Sequence, residues 1–277
     1  MSHASQIFAP GLLDDHVALV TGGGTNLGRQ AAIELHAAGA SVVIAGRRAE
    51  VLEEAAAAIG ERCTIAVGDI REPGSAAAIV DTVLTRHGRL DTLVNNAGGQ
   101  YLVPAEDLSA KGWAAVWRLN VEGTRTMTLA AVERGFSDDG ATVLNVTVSP
   151  HGGYPTMAHT GAARAAVEAM GREQAAAWAG RGIAVVAVAI GRFATESLRK
   201  YPEIFQRGVA ATVPLQRLGT LDEFAWLVTL LATPMGRELS GSVVTLDGAL
   251  DNFEGAWPRP SMVDETGNVP AEERRAR

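Results

Sequence analysis

The sequence is short of the residues that characterise several classes of protein. Its 277 residues include one cysteine, Cys63, which excludes an internal disulfide framework and a metal site built from several cysteines. The longest apolar run, Ile183–Ile190, is too short to cross a bilayer, and no cationic and apolar leader is present. We therefore expect a cytoplasmic protein that binds no metal and enters no membrane.

Positive charge is also scarce. The 31 Asp and Glu residues outnumber the 24 Lys and Arg residues, so that the net charge is −7 at pH 7. This balance argues against sequence-independent binding to nucleic acid or to an anionic membrane surface. Aromatic residues make up only 5% of the chain, yet 47% of it is hydrophobic, which is enough apolar material for one large folded domain.

Apolar runs alternate with helix-length segments along most of the chain. Continuous apolar strands between helices are typical of a parallel sheet that helices cover on both faces. The sequence thus predicts an α/β fold, a Rossmann-type doubly wound parallel sheet of about seven strands flanked by helices, in one domain over residues 1–250. Residues 251–277 are rich in proline, glycine and charge and are predicted to form an extended C-terminal tail. The strand-like runs are Val17–Val20, Ser41–Ala45, Thr64–Val67, Thr92–Val94, Thr142–Val146, Ile183–Val188 and Val243–Leu246.

A glycine-rich turn follows the first of these runs and reads Thr21-Gly22-Gly23-Gly24-Thr25-Asn26-Leu27-Gly28. Glycines let the backbone turn tightly and approach a pyrophosphate, and the helix that follows supplies free N–H groups and a favourable dipole. Such a turn alone also occurs as a plain structural crossover. The order of strand, turn and helix favours a nucleotide site.

With its surroundings, this turn resembles the Thr-Gly-x-x-x-Gly-x-Gly motif of the short-chain dehydrogenase/reductase family, with Asn26 in place of the middle glycine. Asparagine tolerates a positive φ, so the turn can keep its shape. The similarity covers about residues 12–250 and includes the Asn95–Gly98 motif. It implies a nicotinamide dinucleotide held by Gly22, Thr25, Asn26, Leu27, Gly28, Asp69, Ile70, Asn96, Ala97, Gly98, Arg164, Gly191 and Thr195.

The residues after the second strand indicate which dinucleotide is bound. An acidic residue there binds the ribose diol of NAD, whereas an arginine accommodates the 2′-phosphate of NADP. The sequence has Arg47 and Arg48 at this place and no acid before Glu50. We therefore expect NADP(H) in preference to NAD(H), although the two arginines can also simply solvate the start of a helix.

The reaction end of the site departs from the family pattern, which is a serine, a tyrosine and a lysine. Alignment on residues 165–167 puts Thr160 at the tyrosine and Arg164 at the lysine. Arginine stays protonated and can hold a ribose, but it is no proton relay. A gapless alignment puts Thr147 at the serine, while Ser149 lies two residues further on.

The segment 159–170 is similar to that of 2,4-dienoyl-CoA and related enoyl-CoA reductases, which lack the tyrosine and retain the lysine. It is also similar to citronellol-type dehydrogenases, so the subgroup leaves the substrate open. Reduction of a conjugated thioester needs hydride delivery to carbon and a hydrogen-bond donor for the enolate oxygen, which does not require that tyrosine. The candidate catalytic residues are Asn120, Thr147, Ser149, Tyr154, His159 and Arg164.

Several of these candidates have structural alternatives. Tyr154, beside a proline, can merely cover the substrate loop. His159 titrates near neutral pH but can equally be a helix cap or an interface residue. Ser149 precedes Pro150, where a turn alone would explain it.

Residues and resemblance together favour an NADP(H)-dependent reductase of an activated, mostly apolar enone or enoyl thioester. The substrate is then a small molecule such as a CoA thioester, and apolar residues in segment 196–213 are expected to contact it. One alternative is a carbonyl reductase or alcohol dehydrogenase with a relocated proton donor such as Tyr154. Another is a dinucleotide-binding or structural protein with weak redox activity. The family commonly forms dimers or tetramers, so we also expect a homo-oligomer, for which a homotetramer is one form.

Overall fold

The computed structural model describes residues 4–136, 140–153, 156–199 and 203–252. Within these ranges, seven strands form one parallel sheet in the order β3-β2-β1-β4-β5-β6-β7. The prediction of a Rossmann-type sheet of about seven strands is confirmed. The strands are β1 Val17–Thr21, β2 Ser41–Gly46, β3 Cys63–Val67, β4 Thr92–Asn95, β5 Ala141–Val148, β6 Ile183–Ile190 and β7 Val243–Leu246.

Helices connect the strands and follow from apolar spacing and from residues at their ends. In α2, for example, the buried positions Leu52, Ala55 and Ile59 share one face, and Gly60 ends the helix with a φ of +136°. A π-helical turn, Arg118–Glu122, separates α4 from α5. The α-helices are α1 Asn26–Ala37, α2 Ala49–Ile59, α3 Ser75–His87, α4 Ala110–Trp117, α5 Gly123–Arg134, α6 Ala158–Trp178, α7 Glu196–Arg199, α8 Glu203–Ala211, α9 Leu221–Ala232 and α10 Pro234–Arg237.

The hydrophobic core lies on both faces of the sheet. Strand residues alternate between the faces, so that Ile44 packs in one cluster and Val43 in the other. The first cluster includes Phe224 of α9, and the second includes Met127 of α5. Burial on both faces explains why the strands are continuous apolar runs in the sequence.

The central strands extend further than the apolar runs predict. The run that predicts β5 ends at Val146, but the strand continues to Val148, which pairs with Ile190 at the end of β6. The polar Thr147 interrupts the apolar pattern, yet it is fully buried, and its hydroxyl donates to Glu168 of α6. Extra length at this end carries side chains of β5 into the region beyond β4.

The strand order reverses between β1 and β4, which are neighbours in the sheet but not in the chain. Ligands in such folds bind in the crevice beyond the carboxyl ends of the strands at this reversal. Among the described helices, none is both long and apolar enough to cross a membrane. The reversal of strand order makes the crevice beyond β1 and β4 the candidate ligand site.

Candidate functional site

The glycine-rich turn packs closely against the loop that follows β4. Gly22 has a φ of +66°, and a Cβ on it would lie 2.9 Å from the Asn96 amide nitrogen. A Cβ on Gly28 would overlap the Gly22 carbonyl oxygen. The Asn96 amide also donates to Thr21 O at 2.9 Å, which joins the two loops. Only backbone without side chains can make this approach, so the glycines are required by the packing itself.

The start of α1 is open to an anion. Thr25 precedes the helix with extended backbone and makes no side-chain capping hydrogen bond, and the first turn contains no acidic residue. Free N–H groups and the helix dipole therefore point towards the cleft.

Asn26 takes the place of a glycine in this turn and has a φ of +47°, as its tolerance for that conformation predicts. Its side chain makes a contact with a segment far away in the sequence. The Oδ1 atom accepts a hydrogen bond from the backbone N–H of Glu196 at 2.8 Å. Since Glu196 is the first residue of α7, Asn26 joins the glycine-rich turn to the segment between β6 and α9.

A cleft of about 320 Å³ runs from this turn across the ends of β1, β2 and β4. The structure places most of the predicted cofactor residues around it. Its size, its glycine backbone and the open helix terminus fit the phosphates and adenosine part of a dinucleotide. The predicted residues that line the cleft are Gly22, Thr25, Asn26, Leu27, Gly28, Arg47, Arg48, Asp69, Ile70, Asn96, Ala97 and Gly98.

The two arginines after β2, Arg47 and Arg48, lie at the edge of this cleft. The carboxylate nearest to Arg47, that of Asp69, is already paired with another arginine. Asp69 is bound by Arg71 through Nε at 2.9 Å and Nη2 at 2.6 Å, and this pairing lowers the pKa of Asp69 to about 2. Arg47 is 4.0 Å from the same carboxylate, and 64% of its side chain is exposed. With Asp69 engaged by Arg71, the Arg47 and Arg48 guanidinium groups remain accessible to a phosphate.

Arg164 lies buried at the reaction end, which we define as the ends of β4 and β5 with the start of α6. Its Nη1 donates to Val146 O at 2.6 Å, and its guanidinium packs against Gly98. Its Nε has no partner among the described residues. Burial lowers the pKa of Arg164 to about 10, so the side chain still carries its charge at neutral pH. The structure thus brings this residue against the loop that also lines the cleft.

Asn120 holds the same loop from the other side. It lies in the π-helical turn, and its amide accepts from Gly99 N at 3.3 Å and donates to Gly99 O at 2.9 Å. A second donation goes to Val116 O at 2.8 Å. The π-turn, a feature often found at functional sites, aims this side chain inward and fixes the glycines of the loop in front of Arg164.

His159 and Thr160 are almost completely buried at the start of α6. The ring nitrogens of His159 and the hydroxyl of Thr160 have no hydrogen-bond partner in the described part of the chain. The His159 ring meets Tyr101 edge-on at 4.6 Å, and burial lowers its pKa, which favours the neutral form. Buried polar groups without partners are uncommon, and here three such atoms lie on consecutive residues at the start of α6, one turn before Arg164.

Thr147 and Ser149 both donate their hydroxyl protons to carboxylates. Thr147 Oγ1 bonds Glu168 Oε1 at 2.6 Å, and Ser149 Oγ bonds Asp247 Oδ2. In this state neither hydroxyl offers its proton to a substrate. The sequence analysis missed these acids, although Glu168 lies four residues after Arg164, a spacing that puts both on one face of α6.

Two other predicted residues, Gly191 and Thr195, do not line this cleft. Gly191 lies against Asp247, where a Cβ would be 2.5 Å from the Asp247 Cβ. Thr195 accepts from Leu198 N at 3.4 Å at the start of α7. Tyr154 lies outside the described residues, as does the predicted tail beyond residue 252.

Known proteins match this chain over most of its length. The family model described as Enoyl-(Acyl carrier protein) reductase, of the short-chain dehydrogenase/reductase kind, matches residues 23–250. The chain belongs to the short-chain dehydrogenase/reductase family. As a member of it, the chain is an oxidoreductase of the enoyl-reductase type.

Individual relatives of this short-chain dehydrogenase/reductase share about a third of its residues. A peroxisomal 2,4-dienoyl-CoA reductase of Danio rerio is 34% identical over 93% of this chain and 86% of its own. One from Arabidopsis thaliana is 32% identical over 88% of this chain and 87% of its own. The solved structure of a citronellol catabolism dehydrogenase (AtuB) of Pseudomonas aeruginosa PAO1 has a TM-score of 0.80 at 36% identity and covers 90% of this chain and 100% of that one.

Gly98→Ala tests whether this short-chain dehydrogenase/reductase needs the close contact between Gly98 and Arg164. The added Cβ would overlap the guanidinium and lie 2.8 Å from Asn120 Oδ1, and both partners are buried. We expect nicotinamide dinucleotide affinity to fall about tenfold or more in a fluorescence titration, because the loop must move by about 1 Å. Gly208→Ala, where a Cβ meets nothing within 4 Å, is the control. Wild-type affinity in Gly98→Ala would contradict the role of this contact.

Proposed function

We propose that this chain is an NADPH-dependent reductase that delivers hydride to an activated enone or enoyl thioester of mostly apolar character. The observation that carries the proposal is the buried Arg164 cation at the reaction end, whose Nε has no hydrogen-bond partner among the described residues. Thr160, one helical turn earlier on α6, has a buried hydroxyl that also lacks a partner there. The neighbouring hydroxyls of Thr147 and Ser149 donate to carboxylates instead. This arrangement suits the stabilisation of negative charge on an oxygen better than the transfer of a phenol proton.

NADPH, when bound, supplies the hydride. The glycine-rich turn and the start of α1 would hold its pyrophosphate, Arg47 and Arg48 its 2′-phosphate, and the Asn96–Gly98 loop its nicotinamide half. Hydride addition to a conjugated carbon leaves negative charge on the carbonyl oxygen of the substrate. The Arg164 cation lowers the energy of that charge, and water or a side chain then protonates the carbon.

The loop after β4 and the start of α4 support an apolar substrate. Tyr101, Leu102 and Trp113 are large hydrophobic residues with 41%, 64% and 40% of their surface exposed. Tyr101 also contacts the His159 ring, which places this apolar surface next to the reaction end. Relatives named as 2,4-dienoyl-CoA reductases agree with an unsaturated acyl-CoA as the substrate class.

A carbonyl reductase or alcohol dehydrogenase is the second candidate. It is favoured by the similarity to the citronellol catabolism dehydrogenase, which covers almost the whole chain. The proton donor would then be relocated, and His159 at the reaction end or Tyr154 would have to supply it.

A panel of substrates distinguishes these candidates. NADPH oxidation should be measured with 2,4-dienoyl-CoA, 2-enoyl-CoA, an apolar enone, and ketones or aldehydes of matched size. We expect turnover of the thioesters or enone with products reduced at C=C. Alcohol products would favour the second candidate, and tight NADPH binding without any turnover would favour a dinucleotide-binding protein with weak redox activity.

The cofactor preference is tested separately by Arg47→Ala. Loss of a charge-assisted contact to the 2′-phosphate should weaken NADPH binding about 10- to 100-fold, while NADH binding changes less than about threefold. Arg86→Ala, an exposed arginine on α3, is the matched control. Dissociation constants from protein fluorescence quenching give both numbers, and equal losses for the two cofactors would argue against NADPH preference.

We propose a homo-oligomer, a dimer or a tetramer, in the cytoplasm. Light scattering of the purified chain and localisation of a tagged chain in its own cells test these two statements.

A further inference from the structure

His151 lies between two carboxylates from separate parts of the chain. Its Nε2 contacts Glu168 Oε1 at 3.0 Å, and its Nδ1 contacts Asp251 Oδ2. Its backbone N–H also donates to Asp251 Oδ1 at 2.6 Å. Glu168 belongs to α6 and Asp251 follows β7, so this histidine joins two distant segments. We call His151, Glu168 and Asp251 the carboxylate–histidine triad.

Each acidic residue of the triad is connected to one hydroxyl of the reaction end, Glu168 by its carboxylate and Asp251 by its backbone N–H. Glu168 Oε1, which His151 contacts, also accepts the Thr147 hydroxyl at 2.6 Å. On the other side, Asp251 N donates to Asp247 Oδ2 at 2.7 Å, and that oxygen accepts the Ser149 hydroxyl. Thr147 is therefore linked to His151 through the Glu168 carboxylate, and Ser149 is linked to it through Asp247 and the backbone of Asp251.

We propose that His151 is a positioning residue for the reaction: its ring holds Glu168 and Asp251 in place, so that Glu168 and Asp247 keep the hydroxyl protons of Thr147 and Ser149 turned away from the substrate. Arg164 is then left as the donor to the developing negative charge. The inference rests on the proposed function, because the orientation of these hydroxyls matters for turnover only if substrate binds there. A ring with two N–H groups can serve two carboxylates at once, whereas a neutral ring has one N–H and one acceptor nitrogen.

The charges around His151 support this role. In the part of the chain that the structure describes, the charged groups that face the ring are Glu168 from α6 and Asp251 from the segment after β7, and their side chains are only 6% and 20% exposed. Without a cation between them, two carboxylates in such surroundings would repel each other. Burial alone would lower the pKa of His151, but the hydrogen bonds and charges of Asp251 and Glu168 raise it above the ordinary value of 6.5.

The raised pKa of His151 determines on which side of neutral pH the ring holds both carboxylates. Below the raised pKa the ring is doubly protonated and both carboxylates are held. As the pH rises through that pKa, one of the two ring contacts loses its proton, and the network that ends on Thr147 and Ser149 loosens. The positioning is therefore complete at the acidic side of neutrality and is lost on the alkaline side.

The first test compares the pH profile of kcat between about pH 6 and about pH 9 in wild type and in His151→Gln. In wild type, kcat should fall about tenfold along the alkaline limb. In His151→Gln, kcat should be about tenfold lower at acidic pH and the limb should be absent, while KM for NADPH changes less than about twofold. A purely structural role would lower kcat equally at all pH values and keep the limb.

His87→Gln is the matched control. His87 lies at the end of α3 by the opposite edge strand, and burial lowers its pKa instead of raising it. Its replacement should leave both kcat and the alkaline limb as in wild type. An alkaline limb that survives in His151→Gln overturns the proposal.

The second test needs no substrate. The histidine ring signals are titrated by NMR, and the signal lost in His151→Gln identifies this residue among the six histidines. We expect a pKa above 6.5 in wild type and a clear decrease in Asp251→Asn. An unchanged His151 pKa in Asp251→Asn overturns the triad even in an active enzyme. The expected titration with no reduction of any enone or thioester would instead refute the proposed function, and the positioning role with it.

Discussion

Arg164→Leu should lower kcat/KM for NADPH-dependent reduction about 100-fold, which corresponds to about 2.7 kcal/mol of lost stabilisation in the transition state. The guanidinium is the buried cation at the reaction end, and it contacts both the Gly98 loop and the end of β5. Leucine keeps much of the volume but leaves Val146 O without this donor and removes the charge. Steady-state kinetics with the preferred substrate and a fluorescence titration with NADPH give the two effects separately.

Two variants on the same helix sharpen this prediction. Arg164→Lys keeps the charge and installs the residue that the family usually has, so kcat/KM should stay within about tenfold of wild type. Arg172→Leu removes an exposed charge two turns further along α6 and should change neither measurement. If Arg164→Leu retained wild-type kcat/KM, Arg164 would have no part in the reaction.

Phe224→Ala should destabilise the fold by about 3–5 kcal/mol, the usual cost of removing a fully buried phenylalanine. The ring is completely buried in the core that α9 forms with α1 and the sheet, and it meets Phe193 edge-on at 6.4 Å. In a chain of this size such a loss lowers Tm by about 10 °C. Thermal unfolding followed by circular dichroism measures it.

The controls for Phe224→Ala separate the cavity from the aromatic contact. Phe224→Leu fills most of the space and should cost less than about 1.5–2 kcal/mol. Leu239→Ala, at an exposed leucine, should stay within about 0.5 kcal/mol of wild type. A Tm of Phe224→Ala equal to that of Leu239→Ala would show that the core tolerates this loss.

The fold and the shape of the glycine-rich turn were predictable because their determinants are contiguous in the chain. A strand, a glycine turn and a helix occupy Val17–Ala37 without interruption, and their geometry follows from local rules of turn and helix formation. Even Asn26, which departs from the family motif, adopts the positive φ that its chemistry allows. Arg164, which the alignment puts at the lysine position, packs against Gly98, and its role toward the cofactor stays a prediction.

The reaction end was less predictable because its partners are far apart in sequence. The hydroxyls of Thr147 and Ser149 were identified, but their acceptors Glu168 and Asp247 lie 21 and 98 residues away. No spacing rule connects a strand end to the middle of a helix or to the turn after the last strand. His151 carries no motif, and its importance emerges only from the two carboxylates that the fold brings to it.

The hydrogen bond from Glu196 N to Asn26 Oδ1 means that substitutions in the glycine-rich turn and at the start of α7 will not be additive. The two positions are 170 residues apart in the chain, yet they share one contact. A turn exchanged from a relative with glycine at position 26 would therefore alter the start of α7 as well as the glycine-rich turn. Variants designed at the glycine-rich turn and variants designed at the start of α7 must therefore be built and measured in combination.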